Sequence, residues 1–259
     1  MKYDIVVNVG CSYMNNDAIL DDNNNPIKEY ISSLLLSKKL ECDFINLAGS
    51  GFSNERIMRV LYEWVEDNNK TGYYENPLII IGLSGTSRYH FQNIETKQYW
   101  DLQPEKLNSY DDKALDGINN KLTQKLDTLK NLRFWMKYYM KWLYNEEHEY
   151  KKLQREIVFL HHYLIGNNCD YRIFNSLQDS LGDIKNKINY ISFQDDKYKG
   201  DDTWYQYLKW QMKYIDNEDF NQNEKYRKPI PPYGKRFCDG HPSPNANKEL
   251  CERILEELK

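Results

Sequence analysis

Three short apolar runs alternate with two helical patterns in the first 82 residues, and this alternation limits the possible folds more than any other feature of the chain. The first run, Ile5-Val6-Val7-Asn8-Val9, ends at Gly10 and leads through Cys11 to Ser12 and Tyr13. The second, Phe44-Ile45-Asn46-Leu47-Ala48, breaks at Gly49-Ser50-Gly51-Phe52. The third runs from Pro77 to Gly82 and is continuously apolar, as expected of a strand covered on both faces. Between them, Pro26 opens a helical pattern carrying Ile27, Tyr30, Ile31 and Leu34 to Leu36, up to Leu40. Ser53 or Asn54 can cap a second helix, with Ile57, Val60, Leu61, Trp64 and Val65 at helical spacing. Strand, helix, strand, helix, strand predicts a parallel sheet and an α/β fold.

The order beyond Gly82 is looser. Residues 83 to about 110 read as a long loop holding Arg88, His90, Tyr99 and Trp100. From about Asp112 to Ile165 the pattern is helical, with a break near Asn145. Its aromatic stripe of Phe134, Trp135, Tyr138, Tyr139, Trp142 and Leu143 predicts core or helix-packing surface rather than a cofactor site. Tyr171-Arg172-Ile173-Phe174 is a fourth strand, and residues 176 to 236 are irregular and polar except for an aromatic helix near Trp204 to Ile215. Pro229-Ile230-Pro231-Pro232 marks a rigid connection back to the core, and a closing helix runs from about Asn245 to Leu258. The expectation is a single domain over residues 1–259, with insertions at about 93–167 and 176–235.

Composition narrows the function classes. The 259 residues carry a net charge of −4, which gives no bulk electrostatic case for nucleic acid or an anionic membrane as partner. An aromatic content of 14 % argues for a packed core despite many polar residues. The five cysteines, Cys11, Cys42, Cys169, Cys238 and Cys251, are scattered without a CxxC pair, so reduced thiols are expected rather than a disulfide framework or zinc ribbon. His90, His148 and the His161-His162 pair complete no metal set, the last two being expected on different faces of one helix. No phosphate-cradling glycine-lysine motif is present, so neither a metal nor an organic cofactor is expected. No apolar stretch is long enough to span a membrane and no signal peptide is read, so a cytoplasmic protein is expected.

Four short blocks could carry chemistry: Gly10-Cys11-Ser12, Asn46 to Asn54, Gly82 to Arg88, and Asp239-Gly240-His241-Pro242. Ligands in open α/β sheets bind at strand carboxyl ends, where the first three blocks stand. Acyl transfer needs a nucleophile, an oxyanion hole and a base, each supplied by a separate loop. The rival reading of Gly49-Ser50-Gly51 is a dinucleotide-binding turn, but Asn54 replaces its third glycine and the turn follows the second strand. Ser12 can equally be a turn or helix-capping serine, His241 a backbone-bonding residue at a helix entry, and Arg88 a surface salt-bridge partner.

Taken together, the blocks resemble the SGNH (GDSL-like) hydrolase superfamily, and most of all its phage-type members. The likeness covers roughly residues 1–92, 168–175 and 236–259. It implies a flavodoxin-like, three-layer α/β/α sandwich with a central parallel sheet and a helical insertion. By this resemblance Ser12 is the nucleophile, His241 the general base and Asp239 the residue that orients the imidazole. The backbone of Ser12 and Gly51, with Ser84, would form the oxyanion hole. Asn54, Thr86 and Arg88 are candidate substrate contacts, and Cys11, adjacent to the serine, should point into the fold, a thiol nucleophile being the minor alternative. The chain departs from the family in two places. Only Gly240 separates Asp239 from His241, where the family has two residues, and Ser84 stands where the family has an asparagine. The implied activity is a serine esterase that removes a small acyl group, acetyl by preference, from a glycan or similar small-molecule ester. The alternative is a binding or structural protein that has kept the fold without the chemistry, associated with a virion if the chain is phage-encoded.

Overall fold

The computed structural model describes residues 2–15, 27–92, 99–102, 134, 137–216, 237–238 and 241–259. Four parallel strands make the central sheet: β1 (Ile5–Gly10), β2 (Asp43–Asn46), β3 (Pro77–Leu83) and β6 (Asp170–Asn175). Their order is β2-β1-β3-β6. The chain leaves β1 in one direction to form β2 and returns on the other side to form β3. The crevice at the carboxyl ends of β1 and β3 is therefore the switch point of a doubly wound sheet.

Alternate residues of each strand feed two separate cores. Val6, Leu78, Ile80 and Phe174 face one side, packed with Leu36 of helix α2 (Ser32–Leu40), Leu208 of α5 (Trp204–Tyr214) and Leu250 and Ile254 of α6 (Pro244–Glu257). Ile5, Val7, Val9, Ile79, Ile81 and Ile173 face the other, against α3 (Asn54–Thr71) and α4 (Glu146–Gly166). Helices thus cover both faces, which explains why β3 carries no polar residue. Full burial of each such side chain stabilises the fold by about 1.5–3 kcal/mol.

The helix ends follow local rules. The Ser53 hydroxyl accepts from the Arg56 amide at 3.3 Å and starts α3, and Gly72, in the left-handed region at φ 62°, ends it. Asn145 caps α4 by accepting from the His148 amide at 2.9 Å, which accounts for the break expected there. Ser243 caps α6, with Pro244 in its first turn.

Four expectations need correction. The run from Pro26 does not give one helix: a 3₁₀ turn (Lys28–Tyr30) precedes α2, and Ile31 between them is extended at ψ 125°. The buried face of α2 is also richer in serine than expected, with Ser32, Ser33 and Ser37 beside Leu36. The long loop after β3 contains an antiparallel pair, β4 (Tyr89–Gln92) with β5 (Tyr99–Leu102). The aromatic stripe is not core: Phe134, Tyr138, Trp142 and Leu143 are exposed and only Tyr139 is buried, Trp135 lying outside the described residues. A π-helical turn over Tyr139–Leu143 also departs from the 3.6-residue period within the stripe. On α4 the rings of the consecutive His161 and His162 lie 5.0 Å apart, and His161 Nδ1 is 2.6 Å from the Tyr171 hydroxyl.

The second insertion serves the sheet. Its Asn189 and Ile191 exchange backbone hydrogen bonds with Ile173, at 3.0 and 2.8 Å, and so shield the outer edge of β6.

At the amino end of β6, Asp170 accepts from the Tyr3 hydroxyl, from Arg172 Nη1 at 2.8 Å and from the Tyr171 amide at 2.8 Å. Burial pushes its carboxyl up, but these donors and the Arg172 charge outweigh it and hold the group below the ordinary value. A depressed carboxylate stabilises the fold above its unfolded value and loses that contribution as pH falls through the folded one. Asp170→Asn is expected to cost about 1 kcal/mol at pH 7. In urea titrations the gap from wild type should narrow below about pH 4.

Candidate active site

β1 ends against β3 at a pair of glycines, Gly10 opposite Gly82. A Cβ on Gly10 would lie 2.8 Å from the Gly82 carbonyl oxygen and 2.4 Å from Met14 Cγ. A Cβ on Gly82 would lie 2.6 Å from the same Met14 carbon. The missing side chains let Met14 drop between the strand ends, and with it the four-residue helix α1 (Ser12–Asn15). The Met14 and Asn15 amides both donate to the Cys11 carbonyl, at 2.9 and 3.2 Å, closing the turn. Cys11 is fully buried and Ser12 opens the helix with 9 % of its surface exposed.

The other half of the site comes from the far end of the chain. A short antiparallel pair, β7 (Phe237–Cys238) with β8 (His241–Pro242), precedes α6. The Ser243 cap and a 3.4 Å hydrogen bond from Asn247 Nδ2 to the Pro242 carbonyl fix the entry to α6. His241, half-buried, lies with Nε2 2.9 Å from Ser12 Oγ across 229 positions of sequence. A neutral imidazole that accepts the serine proton at Nε2 carries its own hydrogen on Nδ1. Asp239, expected to orient that ring, lies outside the described residues, as does Gly240.

The imidazole has an aromatic wall. The Tyr13 ring is 5.4 Å from it and tilted by 46°, and Trp204 and Tyr205 meet Tyr13 edge-on at 6.3 and 6.1 Å. The start of α5, in the second insertion, therefore closes one side of the site. Burial pushes the Tyr13 phenol well above its ordinary value, Tyr205 and Cys11 add to that, and the Arg88 guanidinium pulls the other way. Tyr13 is thus a neutral hydroxyl group at any ordinary pH.

Gly51 lies in the turn after β2 with φ 83°, a conformation that favours glycine. The turn is tied to β1, since the Gly49 amide donates to the Gly10 carbonyl at 3.1 Å and the Phe52 amide to Gly49 at 3.3 Å. Arg88 Nη1 donates to the Phe52 carbonyl at 3.1 Å and so joins this turn to the loop after β3.

The remaining candidates have structural partners. Asn54 forms a two-point clamp on Ser84: its Oδ1 accepts from the Ser84 amide at 2.7 Å and its Nδ2 donates to the Ser84 carbonyl at 3.1 Å. The Ser84 hydroxyl is fully buried and has no hydrogen-bond partner among the described residues, so in this conformation it is closed to a ligand. Thr86 is held by Gln178, which accepts from its amide at 2.9 Å and from its hydroxyl at 3.1 Å. Thr86 and Arg88 nevertheless border a cavity of about 80 Å³, walled also by Asn54, Tyr89, Tyr139 and the Glu55–Lys152 ion pair.

Sequence reasoning missed Asn8, the Tyr13–Trp204–Tyr205 wall and Gln178. Asn8 had a signal, being a lone polar residue in an apolar strand; the others had none. Among the described residues, no group of three His, Cys, Asp or Glu is placed to hold a metal ion, and no helix is long and apolar enough to cross a membrane. Comparison with known families, curated proteins and solved structures found no match to this chain.

Replacing Asn54 by alanine leaves the buried Ser84 amide and carbonyl unpaired. Asn54→Ala is expected to lose about 2 kcal/mol of stability, read by chemical denaturation.

Proposed function

We propose that the chain is a serine ester hydrolase on an SGNH-like α/β/α scaffold, removing a small acyl group, acetyl by preference, from a glycan or similar alcohol. The observation that carries this reading is the 2.9 Å hydrogen bond between Ser12 Oγ and His241 Nε2 at the switch point of the sheet. In the proposed mechanism His241 takes the hydroxyl proton as Ser12 attacks the ester carbonyl. The imidazolium then returns that proton to the leaving alcohol, and a water molecule, activated by the same imidazole, releases the acyl group. Asp239 would steady the ring through Nδ1.

The tetrahedral oxyanion needs donors that are already in place. The Ser12 amide stands at the first position of α1, where no intrahelical acceptor exists, and Gly51 supplies the second amide of the proposed pair. Ser84 would add a third donor only after its buried hydroxyl turned outward. In this reading Arg88 and Thr86, on the border of the 80 Å³ cavity, contact the substrate, while Asn54 works by holding the Ser84 loop.

The buried Ser84 hydroxyl also favours a second reading, a glycan-binding or structural protein in which the fold remains and turnover is lost. Hydrolysis of p-nitrophenyl acetate and labelling by a fluorophosphonate separate the two. The esterase reading expects Ser12→Ala and His241→Ala to lose about 10³-fold in kcat/KM, with labelling absent in Ser12→Ala. Equal background rates in wild type and Ser12→Ala, with no labelling of either, would favour the binding protein.

A further inference from the structure

Asn8 lies at the centre of β1 with no exposed surface, in a strand whose other members up to Val9 are aliphatic. A buried amide is costly unless its hydrogen bonds are made, and here both hydrogens and the oxygen are used. Nδ2 donates to the Met14 carbonyl at 3.0 Å and to Asn46 Oδ1 at 2.7 Å, while Oδ1 accepts from the Ser33 hydroxyl at 2.8 Å. The partners belong to three different elements: α1, the end of β2, and α2.

The network continues in two directions. Asn46 Oδ1 also accepts from the Ala48 amide at 3.1 Å, on the approach to the Gly49-Ser50-Gly51 turn. Asn46 Nδ2 donates to Asn15 Oδ1 at 2.9 Å, and Lys28 Nζ donates to the Asn15 carbonyl and side-chain oxygens at 2.7 and 3.1 Å. One buried amide therefore grips both the short helix that starts at Ser12 and the strand end that leads to Gly51. A helix of four residues has too few internal hydrogen bonds to hold its own position.

We infer that Asn8 is a positioning residue: it sets the Ser12 hydroxyl against His241 and keeps the Ser12 and Gly51 turns in register. The inference rests on the esterase reading for its catalytic consequence and on the hydrogen-bond geometry alone for its structural one. Neither the apolar run nor its length requires an amide at this place; an aliphatic residue would pack the same face without taking hold of Met14.

The test uses the full chain with Asn8→Ser, which shortens the side chain and loses one of the two donated hydrogens, and Asn8→Asp, which loses both when ionised. Fluorophosphonate labelling of Ser12, kcat and KM on p-nitrophenyl acetate, thermal melting, and the ¹⁵N and ¹H signals of the His241 ring are measured for each. Expected is a fall of about 10- to 100-fold in labelling rate and kcat, with KM changed less than about threefold, in protein that still melts cooperatively. Ser33→Ala, which leaves both Asn8 donors engaged, should lose less than about threefold. A folded Asn8 variant that labels at the wild-type rate overturns the inference, and so does failure of both variants to fold, which would make the amide a requirement of folding instead. Should the wild type itself neither label nor hydrolyse, the esterase reading falls and the ring signals decide alone. Asn8 variants that reproduce the change seen in Ser12→Ala support positioning, and ring signals identical to wild type overturn it.

Discussion

The close approach of β1 and β3 at Gly10 and Gly82 is the constraint from which the site follows. Two strands in parallel register leave little room at their carboxyl ends, and a side chain on either glycine would occupy the space that Met14 fills. With that space open, the chain turns immediately after the strand and Ser12 is held at the rim rather than carried off on a longer loop. The turn after β2 is laced to the same place by the Gly49 amide on the Gly10 carbonyl. Strand geometry, not a motif in isolation, brings the two turns together.

Buried polar groups give this region its definition. Asn8 is satisfied on every side, and at the far edge Asn175, Asp179, Lys185 and Asp202 form a second network. There Lys185 pairs with Asp179 at 2.7 Å and with Asp202 at 3.1 Å, and Asp202 accepts from the Phe193 amide at 2.7 Å. That network fastens the second insertion to the end of β6, and the same insertion supplies Trp204 and Tyr205 beside Tyr13. Apolar packing would tolerate small slips of these segments. Directional hydrogen bonds in a dry interior do not, which is how a polar, irregular stretch of chain acquires one arrangement next to the serine.

The parallel sheet was legible because β3 reads Leu78-Ile79-Ile80-Ile81 without a polar break and because helical periods separate the runs. The cap at Ser53 or Asn54 and the break near Asn145 were legible for a similar reason, since a helix start depends on amides two or three positions away. The pairing of β4 with β5 was not. Its strands are short and joined through residues 93–98, and nothing in Tyr89 to Gln92 repeats with a clean period of two. The serine-lined face of α2 was hidden because small polar residues count as solvent-facing in any periodicity, whereas here they let the helix sit close to β1 and let Ser33 reach Asn8. The aromatic stripe misled because helical spacing shows that residues share a face but not whether any other segment covers that face.

The sequence by itself determined the α/β class and the strand that precedes Ser12, since these depend on neighbours within a few residues, whereas the choice of Ser12 and His241 came from the resemblance of four widely separated blocks to a family. Tertiary structure alone decided that His241 meets Ser12, that Asn54 grips Ser84 rather than facing outward, that the Ser84 hydroxyl is shut in, and that Asn8 bonds to the short helix that Ser12 opens. Each of those depends on where separate segments come to rest in three dimensions. Short-range periodicity carries no record of it, because contacts such as Asn54 with Ser84 and His241 with Ser12 join residues 30 and 229 positions apart whose proximity is set by the sheet order.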